Sequence, residues 1–155
     1  MKKLIVCLLI IMILLVGCSQ ETPDTVGAYT TVIDMLYNED MALNSDIKYI
    51  AIDTSLMINL SEEQKQILLK QLDKYGHTVL DMTFEELEKE GYIEELQFKE
   101  GIFFKISDEL INGKSITMDV QKWRSGLGAI GYDDLVVKYT YGNWKITKTG
   151  SAWIS

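Results

Sequence analysis

Ile102-Phe103-Phe104-Lys105-Ile106, Ile116-Thr117-Met118-Asp119-Val120-Gln121 and Leu135-Val136-Val137-Lys138-Tyr139-Thr140 share one pattern, an apolar side chain at every second place. A period of two puts those side chains on one face of an extended strand. Asn112-Gly113 separates the first two runs and is the two-residue signal for a tight hairpin; Gly142-Asn143 marks another before Trp144-Lys145-Ile146. No helical pattern intervenes, so the C-terminal half is expected to be an antiparallel meander with one face on the core.

Upstream the period is helical. Val26, Tyr29, Ile33, Leu36 and Tyr37 fall at spacings of three and four, which predicts a helix to about Asn38 capped by Asp24 or Thr25. Ile47 to Ile52 reads as a short strand turned by Asp53-Thr54-Ser55. Ser61 with Gln64 forms a capping box that opens a helix with Ile67, Leu68, Leu72 and Tyr75 on its apolar face, stopped by Gly76. Thr83 with Glu86 is a second capping box, for a shorter helix ending at Gly91. The fold class is therefore α+β, with N-terminal helices packed on a C-terminal antiparallel meander. The helices and hairpin between Ser61 and Ile106 also suggest a winged helix.

The 155 residues, 47% hydrophobic, suffice for one domain with a real core. Fifteen Lys and Arg against 23 Asp and Glu argue against nucleic acid as partner, because phosphate binding needs clustered cations. Lys2 and Lys3 precede thirteen uncharged apolar residues, Leu4 to Val16, the make-up of a signal-peptide hydrophobic region. As a helix these would span about 20 Å, against ~30 Å of bilayer hydrocarbon.

The run ends in Leu15-Val16-Gly17-Cys18, which resembles the lipobox of bacterial lipoproteins. That resemblance implies diacylglycerol on Cys18, cleavage before it, and acyl chains such as palmitate holding the chain on the extracytoplasmic side of the cell membrane. Residues 1–17 are then a signal peptide, 18–24 a lipidated tether, and 25–155 a single domain. With Cys7 removed and Cys18 lipidated, no thiol is left for disulfides, catalysis or zinc. Loss of Lys2 and Lys3 leaves 13 basic residues against 23 acidic ones, a formal charge of −10, which disfavours contact with anionic lipid heads.

The element order over residues 25 to 155 resembles the nuclear-transport-factor-2-like (NTF2-like), or cystatin-like, roll, in which a curved sheet wraps a helix around a pocket. For enzymes of that roll the resemblance implies a pocket His or carboxylate as general base, and His77, near Asp73 and Asp81, is the only histidine. A single His beside a helix-stopping Gly reads more simply as a surface residue.

Four other features are weighed against their simpler readings. Gly126-Leu127-Gly128-Ala129-Ile130-Gly131 matches the G-x-G-x-x-G string but lacks the strand-to-helix context that pyrophosphate binding needs, so it reads as an inter-strand loop or bulge. The acidic run from Glu85 to Glu95 lacks the order of a calcium loop and reads as a solvated helix face. Asn59-Leu60-Ser61 matches a glycosylation sequon, although Ser61 is explained as an N-cap. Aromatic residues gather in the last third, and Trp123, Arg124 and Tyr132 around the Gly-rich segment have the composition of a recognition surface, with Trp123 out of phase with the apolar face of its strand.

The expectation from sequence is a monomeric, membrane-anchored binding or protein-interaction module of the cell envelope, without cofactor, metal or nucleic acid, engaging an envelope protein or a small ligand. A small pocket enzyme using His77 or a buried carboxylate is the alternative. A transport receptor would need two lobes, for which the chain is short.

Overall fold

The computed structural model describes residues 23–155. The lipobox with Cys18 and the signal segment lie outside the described residues. Helix α1 covers Val26–Asn38, and a 3₁₀ turn follows at Met41–Asn44. Strand β1 is Tyr49–Asp53, and helix α2, Glu62–Gln71, continues as a 3₁₀ turn over Leu72–Tyr75. Next come β2, Thr78–Asp81, and helix α3, Phe84–Lys89. The chain then runs through β3 (Gly101–Asp108), β4 (Ser115–Ser125), β5 (Gly128–Thr140), β6 (Asn143–Lys148) and β7 (Ser151–Ile154).

Both capping boxes form. Ser61 Oγ accepts from Gln64 N and Gln64 Oε1 from Ser61 N, and Thr83 and Glu86 do the same. Each satisfies two backbone N–H groups that the first helical turn leaves without partners. On α2, however, Leu68 and Leu72 are buried while Ile67 is 44% exposed, so its apolar face is narrower than the spacing predicts.

One seven-stranded sheet runs in the order β2-β1-β3-β4-β5-β6, with β7 alongside β6 on the same edge of β5. Strands β3 to β6 are the expected antiparallel meander. The first hairpin turns on Gly113-Lys114 rather than Asn112-Gly113, because Asn112 and Ser115 exchange both backbone bonds. Gly113 takes φ +62 at the first central place, where a two-residue turn of this kind requires Gly.

Two parts of the sheet were not legible in the sequence. β1 pairs in parallel with both β2 and β3, and β7 returns to β5 across Ile130–Asp133. The parallel step from β1 to β2 is allowed by the α2 crossover between them. That crossover also overturns the winged-helix reading. Leu68 of α2 joins the core with α1, whereas Leu87 of α3 joins a separate cluster with Phe103, so the two helices lie on opposite faces of the sheet.

On the first face, Ile50, Ile52, Ile102, Phe104, Ile106, Ile116, Met118, Val120, Leu135 and Val137 are buried against Tyr29, Val32, Ile33 and Leu36 of α1. The loops at the N-terminal end of α1 are held by a polar network. Tyr29 Oη donates to Asp108 Oδ2 at 2.7 Å, and Asn59 Nδ2 donates to Asp108 and to the Glu109 carbonyl. Asn59 Oδ1 also accepts from Ile111 N, so its whole amide is engaged inside the protein and the glycosylation reading of the sequon falls away.

Candidate functional site

The second sheet face divides between two neighbouring cross-strand rows. In the first row Leu80, Ala51, Phe103, Trp123 and Ala129 are successive register partners. They are apolar, and α3 with the segment after it covers them. Leu87, Ile93 and Phe98 are buried there, and the Phe84 ring meets Trp123 edge-on at 5.0 Å and Phe103 at 6.0 Å.

One pleat further along, the partners are Asp53, Lys105, Gln121, Gly131 and Trp153. This row is polar except at its end. Asp53 is folded into the turn after β1, accepting from Ser55 N at 2.9 Å. From Lys105 to Trp153, and on to Ser107, Asp119 and Asp133 behind them, the face is uncovered and forms a cleft of about 310 Å³ walled on one side by Leu56.

The shape of the cleft follows from one residue type. Gly131 is the register partner of Trp153, and a Cβ there would overlap the indole, so the ring lies against bare backbone. An aromatic ring laid over a cross-strand glycine is a recognised way of closing a gap in a sheet. The indole N–H donates to Asp133 Oδ1 at 3.3 Å. A bulge opposite Asp119 turns Asp133 and Asp134 outward, and Asp119 Oδ1 accepts from Asp134 N at 3.0 Å.

Hydrogen-bonding capacity remains in the cleft. Among the described residues, the side chains of Lys105, Ser107 and Gln121 make no hydrogen bond, and no bond joins Ser107 to Lys105 as nucleophile to base. The cleft thus offers donors, acceptors and an aromatic platform, the requirements of recognition. Among the described residues there is also no group of three or more His, Cys, Asp or Glu placed to hold a metal ion.

The residues singled out from the sequence are not brought together. Trp123 lies on the second face, half-buried under Phe84, one pleat from Gln121. Arg124 points the other way and donates to the carbonyls of Leu43 at 2.9 Å, Ser45 at 2.7 Å and Lys99 at 3.0 Å, tying two loops to the end of β4. Tyr132 is 9% exposed on the α1 side, where burial, with the neighbouring Glu39, pushes its phenol pKa up. The Gly-rich string makes the β4–β5 turn at Gly126-Leu127 and then enters β5, as a loop reading requires.

His77 Nε2 lies 3.3 Å from the Tyr37 hydroxyl, and Tyr37 stacks on Tyr75 at 3.9 Å. Asp81, one of the two acidic residues near it in sequence, is taken by Thr54, whose hydroxyl donates to it at 2.9 Å. Reading the sequence alone missed Lys105, Gln121, Gly131 and Trp153 as a set. The available signal was the polar places alternating with the apolar ones, Lys105 and Ser107, Asp119 and Gln121, a second strand face too polar to be core.

The deepest electrostatic feature lies on the covered face. Lys122 is 0% exposed, and its ammonium donates to the carbonyls of Tyr37 (3.4 Å), Glu39 and Asp40 (3.1 Å) and to Asn44 Oδ1 (3.2 Å). It thereby caps the C-terminus of α1, where unsatisfied carbonyls and the helix dipole favour a cation. Burial pulls its pKa down to about 8, while Asp40 and Glu39 pull the other way.

No family model matches the sequence, no curated protein matches it, and no solved structure matches the fold.

Proposed function

We propose that the chain is a lipoprotein of the bacterial cell envelope, anchored through Cys18 on the extracytoplasmic side, whose domain acts as a monomeric, non-catalytic binding module. The observation that carries the binding part is the uncovered polar half of the second sheet face. That half sets an aromatic ring fixed on bare backbone beside polar side chains with free hydrogen-bonding capacity, the combination that ligand sites use. The anchor rests on the lipobox and the hydrophobic run before it. Among the described residues no helix is long and apolar enough to cross a membrane, which leaves the lipid reading to its own test.

The NTF2-like roll enters as a proposal about architecture, supported by element order and by α1 packed against the β4–β6 part of the meander. It lends no support to a pocket enzyme, because among the described residues the α1 side of the sheet is filled with apolar side chains and His77 bonds to Tyr37.

The test is in cells. A photo-cross-linking residue replaces Gln121 in the cleft or, for comparison, Thr147 on the exposed β6. Adducts specific to position 121, lost when Cys18→Ala prevents fatty-acid labelling and releases the chain from membranes, support the proposal. Equal adducts at both positions, or labelling of the Cys18→Ala chain, overturn it.

A further inference from the structure

The ligand class of this cleft follows from its chemistry, and the inference rests on the reading of the open face as a binding surface. We propose that the cleft binds a neutral saccharide, one sugar ring lying on the indole of Trp153 with its hydroxyls bonded to Gln121, Lys105, Asp119 and Asp133.

The platform comes first. Gly131 lets the indole rest on the β5 backbone, and Asp133 holds the indole N–H, so the ring is fixed on its inner side and at its edge. A fixed aromatic face costs little ordering on binding and suits the C–H face of a sugar ring. Next come the polar groups. Gln121 offers both donor and acceptor, Lys105 three donors, and the two carboxylates retain lone pairs beyond the single bonds each accepts here. Hydroxyls both donate and accept, so a polyol satisfies both kinds of group, and bonds to the charged ones are the stronger.

Charge disfavours an anion. Asp119 and Asp133 beside the platform outnumber Lys105, so a phosphorylated or carboxylated ligand on Trp153 meets a net negative site. A purely apolar ligand would leave Lys105 and both carboxylates desolvated and unpaired. The volume, about 310 Å³, is at the small end of the range for ligand pockets, which suits a ligand of one or two sugar rings.

The experiment uses the full chain in micelles of a detergent without a sugar headgroup. N-acetylglucosamine, its β-1,4-linked dimer and trimer, and cellobiose are titrated by calorimetry and tryptophan fluorescence, with dialanine and adenosine as comparators. Saturable binding of at least one sugar is expected, weakened tenfold or more in Trp153→Ala and in Gln121→Ala. Tyr141→Ala, at the β5–β6 turn, should leave it unchanged. Thermal melts confirm that each variant is folded. Sugar binding that survives Trp153→Ala, or binding of none of the four sugars, overturns the proposal. Should dialanine or adenosine bind instead and depend on Trp153, the saccharide class falls while the open face stands as a binding surface. If nothing binds and cross-linking at position 121 is also unspecific, both readings fall together.

Discussion

Lys122 and Lys105 sit on adjacent strands near the middle of the same sheet, pairing with Phe104 and Gln121 respectively, yet they face opposite ways. On the α1 side Lys122 is fully buried and donates to four oxygens. On the other side Lys105 is exposed and has no hydrogen-bond partner among the described residues. The same side-chain chemistry thus does structural work on one face and is left available on the other. A buried ammonium persists only where its donors are satisfied, whereas a solvated one needs no partner. Charged residues at alternating strand positions therefore carry no functional meaning until the cover on each face is known.

The largest effect should come from the covered face itself. Phe104→Ala is expected to destabilise the domain by about 4 kcal/mol, since a fully buried ring is lost beneath α1. Urea unfolding checks this, and a loss below about 1 kcal/mol would mean that α1 does not seal that face.

Lys122→Met comes next. It keeps the stem but leaves the Glu39 carbonyl and the Asn44 amide oxygen without a donor, while the Tyr37 and Asp40 carbonyls keep Asn44 Nδ2 and Leu43 N, for about 3 kcal/mol. A melt as high as that of wild type would show that water replaces the ammonium.

Trp123→Ala combined with Arg124→Ala should lower stability by about 2 kcal/mol, because one ring leaves Phe84 and three carbonyl bonds are lost. Cleft binding should change much less. The opposite result, intact stability with lost binding, would move the binding site to the Gly-rich turn.

The pH dependence has a definite sign. Lys122 binds its proton less tightly when folded, at about 8, than in the unfolded chain, at 10.5. Between those values the unfolded chain holds more protons, so this group makes stability rise with pH. The buried Tyr29 and Tyr75 phenols, pushed up by burial and by Asp108 and Asp34, act oppositely, and stability falls as pH climbs above about 10. Thermal melts between pH 8 and 10 should show a rise in wild type that Lys122→Met lacks.

Lys105→Met is the smallest effect on folding, within about 0.5 kcal/mol, because none of the described residues pairs with that exposed ammonium. Saccharide affinity should nevertheless fall severalfold. A stability loss above 1 kcal/mol would show that Lys105 is a scaffold residue after all.

The elements with strong local signals were legible in the sequence. The capping boxes at Ser61 and Thr83 and the period-two runs from Ile102 onward all depend on neighbours within a few residues. β2 was not legible, because Thr78–Asp81 is four residues long with two half-buried side chains and offers too short a pattern. β7 was missed for a related reason. Its seat depends on Gly131, 22 positions before Trp153, and a contact at that separation leaves no periodic trace.

By itself the sequence determined the mixed α and β composition, the capped starts of α2 and α3 and the antiparallel order of β3 to β6, since each follows from backbone hydrogen bonding and side-chain spacing along a short stretch. Tertiary structure decided which strand face was covered, which lysine was buried, and where a glycine lay beneath a tryptophan. Those outcomes depend on what packs over each face: α3 extends over the row of Phe103 and Trp123 and stops before the row of Lys105 and Gln121, leaving open the part of the sheet on which the proposed binding rests.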